Sequence, residues 1–374
     1  MSQPSLNQVS PSQKIAFDLA INGHNVFITG APGSGKSFTV EKIYQDMIQN
    51  RRNVAVTSST SASANVYKIA PAKTLHSFMR LGMAEGSLND LINNLKQKKQ
   101  FLMQLLSLQT LFIDEITMLD PAYFEKINYV LQALRQSRSA FGGIQIIAIG
   151  DPTQLNFEES ATKIKKGQNF IHRGSYSIYD TQTWAQCKFE TALLAENHRA
   201  KDDPRFFQVL ENISIGRFSD EDWEYLSQAC HNDLKDPIRV VCTHREAEDI
   251  NISHIKKYNL DVKHFPALNY KPNLPIPAAE YVLLGEGVPV VMVGTNYVRH
   301  GIPSGTFGRV LQVYKSNVMV ECFAIVQFGD KTIKIQYNCW QVGNEKVYAM
   351  PVILAYAVTI HRLQGLHPPS HAHD

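Results

Sequence analysis

The clearest chemical signal in the sequence is a glycine-rich segment near its beginning. The segment consists of Gly30, Ala31, Pro32, Gly33, Ser34, Gly35, Lys36 and Ser37. It matches the phosphate-binding pattern GxxxxGK[ST] at every fixed position, and it follows the apolar run VFIT and opens a helical pattern, as that motif requires. Glycines let the backbone wrap closely around phosphates, and the N–H groups at the helix start attract negative charge. The segment therefore predicts a nucleoside triphosphate site.

Two side chains of this segment and a downstream acid pair have the chemistry for nucleotide hydrolysis. Lys36 can reach the β and γ phosphates, and Ser37 can bind Mg²⁺. Asp114 ends the apolar run TLFI and is predicted to hold Mg²⁺ through water, while Glu115 is placed to orient or deprotonate the attacking water. An acid pair at a strand end is otherwise often a helix N-cap, but the upstream phosphate motif favours catalysis. We therefore expect ATP and Mg²⁺ as cofactors.

Two glutamines extend the predicted ATP site. Gln154 lies just after the apolar run IIAI, in GDPTQL, where its amide can sense the γ-phosphate. Gln13 stands seventeen residues before Gly30, and its amide can pair with both a donor and an acceptor on the adenine edge. Taken alone, a residue such as Gln13 would more often be a surface side chain.

These residues need a scaffold of strands and helices to bring them together. Apolar runs that are predicted to be strands occur at His24–Thr29, Val54–Thr57, Thr110–Ile113 and Gly143–Ile149. Helical patterns separate them, and Asp120-Pro121 predicts an N-cap followed by a first-turn proline. Continuously apolar strands that alternate with helices indicate an α/β fold, in which a parallel sheet is covered on both faces.

The pattern restarts in the second half of the chain. Ile238–Cys242 predicts another buried strand, and Thr243 a helix cap. Between residues 259 and 348, Pro, Gly and alternating Tyr and Val predict a small β-rich insertion, barrel-like if it closes. We therefore predict a first domain at 1–190 and a second at 191–374 that contains this insertion.

Composition limits the class of protein. The chain has 374 residues, of which 44% are hydrophobic and 19% charged, and it contains neither a bilayer-length apolar run nor a secretory or transit-peptide pattern. We expect an intracellular protein of the cytoplasm or nucleus that does not bind membranes. The net charge of +3 is too small to indicate a polyanionic partner, so local lysine groups would have to do so. Each of the two lysine groups is either a solvated face or a DNA contact. The first group is Lys96, Lys98 and Lys99, and the second is Lys163, Lys165 and Lys166.

The motifs also occur together in the order of a known family. Along the chain they are Gln13, GAPGSGKS, VAVTSSTSASA with TLHSF, IDEITML, FGGIQIIAIGDPTQL, LAENHR and AYAVTIHRLQG. This order resembles superfamily 1 helicases of the RecD/PIF branch, above all the PIF helicases, over about Leu6 to Gly365. The resemblance implies two RecA-like P-loop domains that enclose ATP, with an SH3-like insertion in the second. It also implies 5′ to 3′ movement on single-stranded DNA, unwinding at duplex junctions, and work in DNA replication, repair or recombination.

The resemblance assigns roles to further residues. Arg199 matches an arginine that reaches the γ-phosphate from the second domain, although it can also pair with Asp202 or Asp203. Residues in segments that touch single-stranded DNA in the family are Thr57, Ser59, Thr60, Thr74, His76, Ser77, Phe78, Thr359, His361 and Gln364. Short hydroxyls suit phosphates, and His76 and Phe78 can stack on bases. Core packing is an equal alternative for Phe78. For the hydroxyl-rich stretch an ordinary capped loop is the alternative, and DNA contact is favoured.

The sequence also departs from the family pattern. Leu155-Asn156-Phe157 stands where Leu-Pro-Pro is usual, and Ser61 where glycine is common. Family members continue beyond the TIH..QG turn to a YVALSR-like segment with a second arginine finger, which this sequence lacks. Two functions therefore stay open: an active 5′ to 3′ DNA helicase, or a truncated nucleotide- and DNA-binding relative with weak hydrolysis and no unwinding. The ordered helicase motifs disfavour a P-loop ATPase that acts on a partner other than nucleic acid.

Overall fold

The computed structural model describes residues 9–64, 66–82, 84, 86–157, 177–196, 198, 203–229, 237–272, 274, 276–294, 296–342 and 345–363. The chain divides into two units, Met1–Asn232 and Asp233–Asp374. Along these ranges, no helix is both long enough and apolar enough to cross a lipid bilayer.

A six-stranded parallel sheet with the order β3-β2-β4-β5-β1-β6 forms the centre of the first unit. Its strands are β1 Val26–Thr29, β2 Val54–Ser58, β3 Lys73–Thr74, β4 Thr110–Asp114, β5 Gln145–Ile149 and β6 Glu190–Leu193. The helices of this unit are α1 Pro11–Ile21, α2 Lys36–Gln49, α3 Ser61–Ala64, α4 Leu75–Met79, α5 Leu88–Gln97, α6 Lys99–Ser107, α7 Pro121–Arg135, α8 Gln182–Cys187, α9 Pro204–Ser214 and α10 Asp220–Ala229.

The central strands of this sheet have apolar side chains on both faces. β1, β4 and β5 are buried along their whole length. Successive side chains of a strand point to opposite faces, so Leu111 and Ile113 pack in one core cluster and Phe112 in another. The predicted parallel sheet is confirmed, and so is the helix start at Pro121, where the Asp120 side chain accepts from Ala122 N at 2.8 Å.

The end of the first unit differs from the predicted boundary at residue 190. β6 pairs in parallel with β1, so residues 190–193 complete the first sheet. The division between the two units falls after residue 232. Two helices of the first unit, α9 and α10, follow later in the chain, and residues 215–219 separate them. The functional division into two domains stays a prediction.

In the second unit, two short strands and one helix surround the predicted TIH..QG turn. β7 Arg239–Val241 pairs in parallel with β17 Ala357–Thr359, and α11 His244–Lys257 begins after the predicted cap Thr243. The prediction of a wholly buried β7 is wrong for Val240, which is 52% exposed, because it points away from α11 while Val241 packs towards it. The Asn251 side chain bonds both the N–H and the carbonyl of Ala357, which fixes β17 against α11.

Antiparallel strands make up most of the rest of this unit. They are β8 Lys263–Pro266, β9 Tyr281–Leu284, β10 Pro289–Met292, β11 Phe307–Tyr314, β12 Phe323–Phe328, β13 Lys331–Gln336, β14 Asn338–Val342, β15 Glu345–Ala349 and β16 Val352–Leu354, and α12 is Ile360–Leu363. Five of the strands form a sheet with the order β13-β12-β11-β10-β16 over one apolar core. Strands β8 to β15 lie in the stretch predicted to be β-rich, and closure into an SH3-like barrel stays a prediction.

Candidate active site and nucleic-acid contacts

The glycine-rich segment forms a tight loop between β1 and α2. Gly33 and Gly35 have φ values of 87° and 85°, which favour glycine. A Cβ atom on Gly30 would lie 2.6 Å from the carbonyl oxygen of Leu194, and one on Gly35 would collide with the Gln13 amide. The loop can therefore take this shape only with glycine at these positions, and it leads directly into the N-terminus of α2.

Polar groups of the loop fit a bound phosphate. The Lys36 ammonium donates to the carbonyl oxygens of Gly30 at 2.7 Å and Ala31 at 3.2 Å, so it folds back over the loop. The Ser34 hydroxyl is buried, and it has no hydrogen-bond partner among the described residues. A buried hydroxyl without a partner is costly, and a phosphate oxygen would satisfy it. The cradle, the lysine and this hydroxyl together suit a triphosphate.

Asp114 lies at the carboxyl end of β4 and is buried. Its Oδ1 accepts from the Glu115 backbone N–H at 2.8 Å, and its Oδ2 accepts from the Tyr67 hydroxyl at 2.7 Å. Burial raises the pKa of Asp114, whereas these hydrogen bonds and the Lys36 charge act in the opposite direction. The Ser37 hydroxyl and the Asp114 carboxylate supply the oxygen ligands that Mg²⁺ prefers.

Glu115 has an unusual backbone conformation. Its φ is 50°, in the left-handed region that few residues other than glycine adopt, and the short 3₁₀ turn Ile116–Met118 follows it. Its side chain is half-buried. Such conformations often occur at functional sites, where surrounding structure holds the residue in place. This geometry supports the prediction that Glu115 acts on the substrate water.

The predicted γ-phosphate sensor is part of a rigid turn after β5. Gln154 Nε2 donates to Asp151 Oδ2 at 2.9 Å, and Thr153 donates twice to Oδ1 of the same buried carboxylate. The chain beyond this turn is tied to the 3₁₀ turn after Glu115, because Phe157 N donates to the Thr117 carbonyl at 2.8 Å. A movement of Gln154 would therefore also move the 3₁₀ turn beside the acid pair.

Gln13 lies against the phosphate loop, and its side-chain amide already has hydrogen-bond partners. It is only 1% exposed, and its Oε1 accepts from Ser10 N at 3.0 Å in the capping box of α1. Its Nε2 lies 3.5 Å from the Ser34 carbonyl and 3.3 Å from His198 Nε2. The predicted adenine contact would thus use an amide that is already positioned beside the loop.

The segment before Arg199 also reaches this loop. His198 N donates to the Gly33 carbonyl at 3.0 Å, and Glu196 accepts hydrogen bonds from the hydroxyl and the backbone N–H of Ser12. These bonds lower the pKa of Glu196 to about 2. Arg199 itself lies outside the described residues, and its role stays a prediction. His198 lies in the LAENHR motif, but no role of its own was predicted for it from the sequence.

Tyr67 is the site residue that sequence reasoning missed. It lies in the turn between α3 and β3, is 8% exposed, and contacts Asp114 through its hydroxyl. Burial and the nearby Asp114 charge raise the pKa of Tyr67, and an interaction with the Ser37 hydroxyl opposes this shift. Only the tertiary fold brings this turn to the carboxyl end of β4, so no local pattern identified it.

Comparison with known proteins agrees with this geometry. The family described as PIF1-like helicase matches residues 8–223, more than half of the chain. The chain belongs to this family. The ATP-dependent DNA helicase PIF6 of Trypanosoma brucei brucei is 27% identical over 98% of this chain and 49% of its own length. The chain spans about half the length of the curated relatives it matches.

Two solved structures show the same fold. The Pif1 helicase of Candida albicans has a TM-score of 0.75 at 23% identity, with 96% of this chain and 86% of that chain covered. Bacteroides Pif1 bound to single-stranded DNA has a TM-score of 0.73 at 22% identity, with coverage of 98% and 87%. These matches confirm the predicted RecA-like α/β fold class of this PIF1-like chain.

The predicted DNA contacts after β2 differ in their accessibility. Thr57 is fully buried, and its hydroxyl donates to the Phe112 carbonyl at 2.6 Å, so it stabilises the sheet and is not available to a DNA phosphate. The sheet is covered on both faces at this end of β2, so the neighbouring Val56 and Ser58 are buried as well. Ser59 and Thr60 are half-buried, and Thr60 bonds the buried Ser63 hydroxyl at 2.6 Å. Both remain candidates for phosphate contacts.

The TLHSF segment forms α4 and its cap. Thr74 accepts from Ser77 N at 3.2 Å as the N-cap, and Ser77 is exposed. His76 stacks on Tyr123 with ring centroids 4.0 Å apart, and burial lowers the pKa of His76. Phe78 packs edge-on against Phe101 at the margin of the core, as its alternative interpretation required. Thr74 and Ser77 are thus better placed than the two rings to meet DNA.

A basic groove adjoins this segment. It has a volume of about 540 Å³ and is lined by Arg80, Lys98, Lys99, Gln100, Phe101 and Gln104. The Arg80 guanidinium lies 4.5 Å from the Phe101 ring centroid, and Lys98 Nζ donates to the Arg80 carbonyl at 3.3 Å. Because Phe78 packs on Phe101 as well, the groove is continuous with α4. Of the other lysines in the two groups, Lys96 is in α5, and residues 163, 165 and 166 lie outside the described ranges.

The predicted contacts of the second unit lie at the end of β17. Thr359 is 3% exposed, and its hydroxyl has no partner within the described part of the unit. His361 follows in α12 and, with Arg362, lowers the pKa of His244, for which burial is the larger cause. Gln364 lies outside the described residues. Arg362, three positions after Thr359, adds a positive charge to this turn, which would suit a phosphate contact.

Proposed function

We propose that this chain is an ATP-dependent 5′ to 3′ DNA helicase and translocase, which hydrolyses ATP to move along single-stranded DNA and to unwind duplex junctions. The proposal rests chiefly on three neighbouring parallel strands. The phosphate loop follows β1, the Asp114-Glu115 pair lies at the end of β4, and the Gln154 turn follows β5. The carboxyl ends of parallel strands meet at one edge of the sheet, where ligands bind. PIF6 is named an ATP-dependent DNA helicase, and Bacteroides Pif1 was solved with single-stranded DNA, which supports the proposal.

Each residue of the ATP site has a part in hydrolysis. Lys36 and the loop N–H groups hold the β and γ phosphates, and Ser37 and Asp114 hold Mg²⁺, which neutralises phosphate charge when bound. Glu115 accepts a proton from water as the water oxygen bonds to the γ-phosphorus and ADP leaves. Arg199 stabilises the developing charge, Gln13 contacts adenine, and Gln154 senses loss of the γ-phosphate.

DNA contacts come from the same edge of the first sheet and from the end of β17. In the first unit, Ser59, Thr60, Thr74 and Ser77 contact DNA phosphates. In the second unit, Thr359, His361 and Gln364 do so. We assign the protein to DNA replication, repair or recombination, because each of these processes exposes single strands beside duplex junctions.

The function can be tested by measuring ATP turnover with and without single-stranded DNA. We expect stimulation of about tenfold, because coupling between two ligand sites is commonly of that size. A duplex with a 5′ single-stranded tail should be separated, and one with a 3′ tail should not. Turnover that ignores DNA would contradict the proposal, and stimulation without separation would instead indicate a nucleotide- and DNA-binding relative that does not unwind.

The basic groove should contribute to DNA affinity. Lys98→Gln with Lys99→Gln removes two positive charges, and we expect the slope of log affinity against log salt to fall by about 0.7 for each lost phosphate contact. Fluorescence anisotropy with a labelled single strand at several salt concentrations measures this slope. The control, Arg138→Gln with Lys188→Gln, removes two exposed charges outside the groove. Equal effects of the two double variants would exclude a local contact.

A further inference from the structure

Tyr67 contacts one of the two groups that are proposed to hold Mg²⁺. Its hydroxyl donates to Asp114 Oδ2 at 2.7 Å. We propose that Tyr67 is a positioning residue of the ATP site, whose hydroxyl holds Asp114 in the nucleotide-free protein and releases it when the metal–nucleotide complex binds. This inference rests on the proposed function.

The surroundings of Tyr67 fix its ring and leave only its hydroxyl at the site. The ring belongs to the core cluster that also contains Val40 and Ile43 of α2 and Val56 of β2. The next two residues of the turn are anchored to α2 as well, because Lys68 N and Ile69 N both donate to Glu41 Oε1, at 2.6 Å and 3.2 Å. The Tyr67 side chain is therefore held against α2, the helix that begins at the phosphate loop.

The contact stabilises a buried carboxylate by giving a donor to its second oxygen, Oδ2. Asp114 is 7% exposed, and Glu115 N bonds only Oδ1. A buried charged oxygen without a partner is strongly unfavourable, so the Tyr67 hydroxyl stabilises the nucleotide-free state. A metal-bound water that approached Oδ2 would compete with the Tyr67 hydroxyl for this oxygen. Metal binding would thus replace the hydrogen bond from the Tyr67 hydroxyl with one from the metal-bound water. The free energy gained on metal binding is therefore smaller than at a carboxylate without the Tyr67 hydroxyl.

Tyr67→Phe tests the exchange, because it removes the hydroxyl and keeps the ring. We expect affinity for a fluorescent ADP analogue in excess Mg²⁺ to rise about tenfold over the unsubstituted protein, since a hydrogen bond to a charged group is lost only from the nucleotide-free state. With EDTA in place of Mg²⁺, the affinities of the two proteins should be equal. The thermal midpoint of nucleotide-free Tyr67→Phe should be lower.

Tyr44→Phe is the matched control, since Tyr44 is a half-buried tyrosine of α2 that packs on the same core cluster. Tyr44→Phe should leave the affinity for the ADP analogue unchanged, both in Mg²⁺ and in EDTA. If Tyr67→Phe binds the analogue equally well or more weakly in Mg²⁺, or shifts affinity by the same factor in EDTA, the exchange does not occur and Tyr67 is only a packing residue. If the unsubstituted protein shows no Mg²⁺-dependent nucleotide binding, the proposed function itself fails.

Discussion

Lys36→Ala is expected to abolish ATP turnover, with a fall in kcat of at least about 10²- to 10³-fold, the usual effect of removing one group that stabilises transition-state charge. Lys36 is the one charged side chain of the phosphate loop, and its ammonium already lies over the Gly30 carbonyl at 2.7 Å. Alanine leaves the loop backbone intact but removes the positive charge from the phosphates. Phosphate release at saturating ATP and single-stranded DNA measures the effect.

Lys42→Ala is the control for this substitution. Lys42 belongs to the same helix, α2, and its ammonium lies 5.2 Å from the Phe38 ring centroid, so its loss changes the charge of α2 without touching the loop. We expect turnover to stay normal in this variant. If Lys36→Ala also retained normal turnover, the loop would not be the site of hydrolysis.

The loop and the acid pair of the candidate ATP site could be located from the sequence, because their geometry depends on consecutive residues. Glycine at positions 30 and 35 is required by the backbone path, and Lys36 and Ser37 follow at fixed spacing. Asp114 and Glu115 end a strand whose unbroken apolar run showed that it is central in the sheet. Each of these features is encoded within a few consecutive residues.

Residues that depend on long-range packing could not be predicted in the same way. Tyr67 reaches Asp114, forty-seven positions later, only because β2 and β4 are neighbours. The burial of Thr57 depends on the place of β2 inside a sheet that is covered on both faces, and a short hydroxyl-rich strand end does not reveal this. Similarly, the pairing of β6 with β1 joins residues that are far apart in sequence, so no local pattern indicated that residues 190–193 belong to the first sheet.

Glu115→Gln should separate nucleotide binding from hydrolysis. Glutamine has the size of glutamate but cannot accept a proton, so we expect turnover to fall about 10²- to 10⁴-fold, the range for loss of a general base. Binding of ATP should persist, because the proposed Mg²⁺ ligands are Ser37 and Asp114, and the bond from residue 115 to Asp114 comes from its backbone N–H. Phosphate release gives the first quantity, and titration with a fluorescent ATP analogue gives the second.

The matched control for this variant is Glu125→Gln. Glu125 is another half-buried glutamate of the first unit, and it accepts from Gln182 N at 3.2 Å on α7, outside the acid pair. Its substitution should leave both quantities unchanged. Normal turnover in Glu115→Gln would show that another group activates the water. If ATP binding were lost together with turnover, Glu115 would have a structural role. Its carboxylate would then be needed to maintain the left-handed backbone at this residue, where φ is 50°.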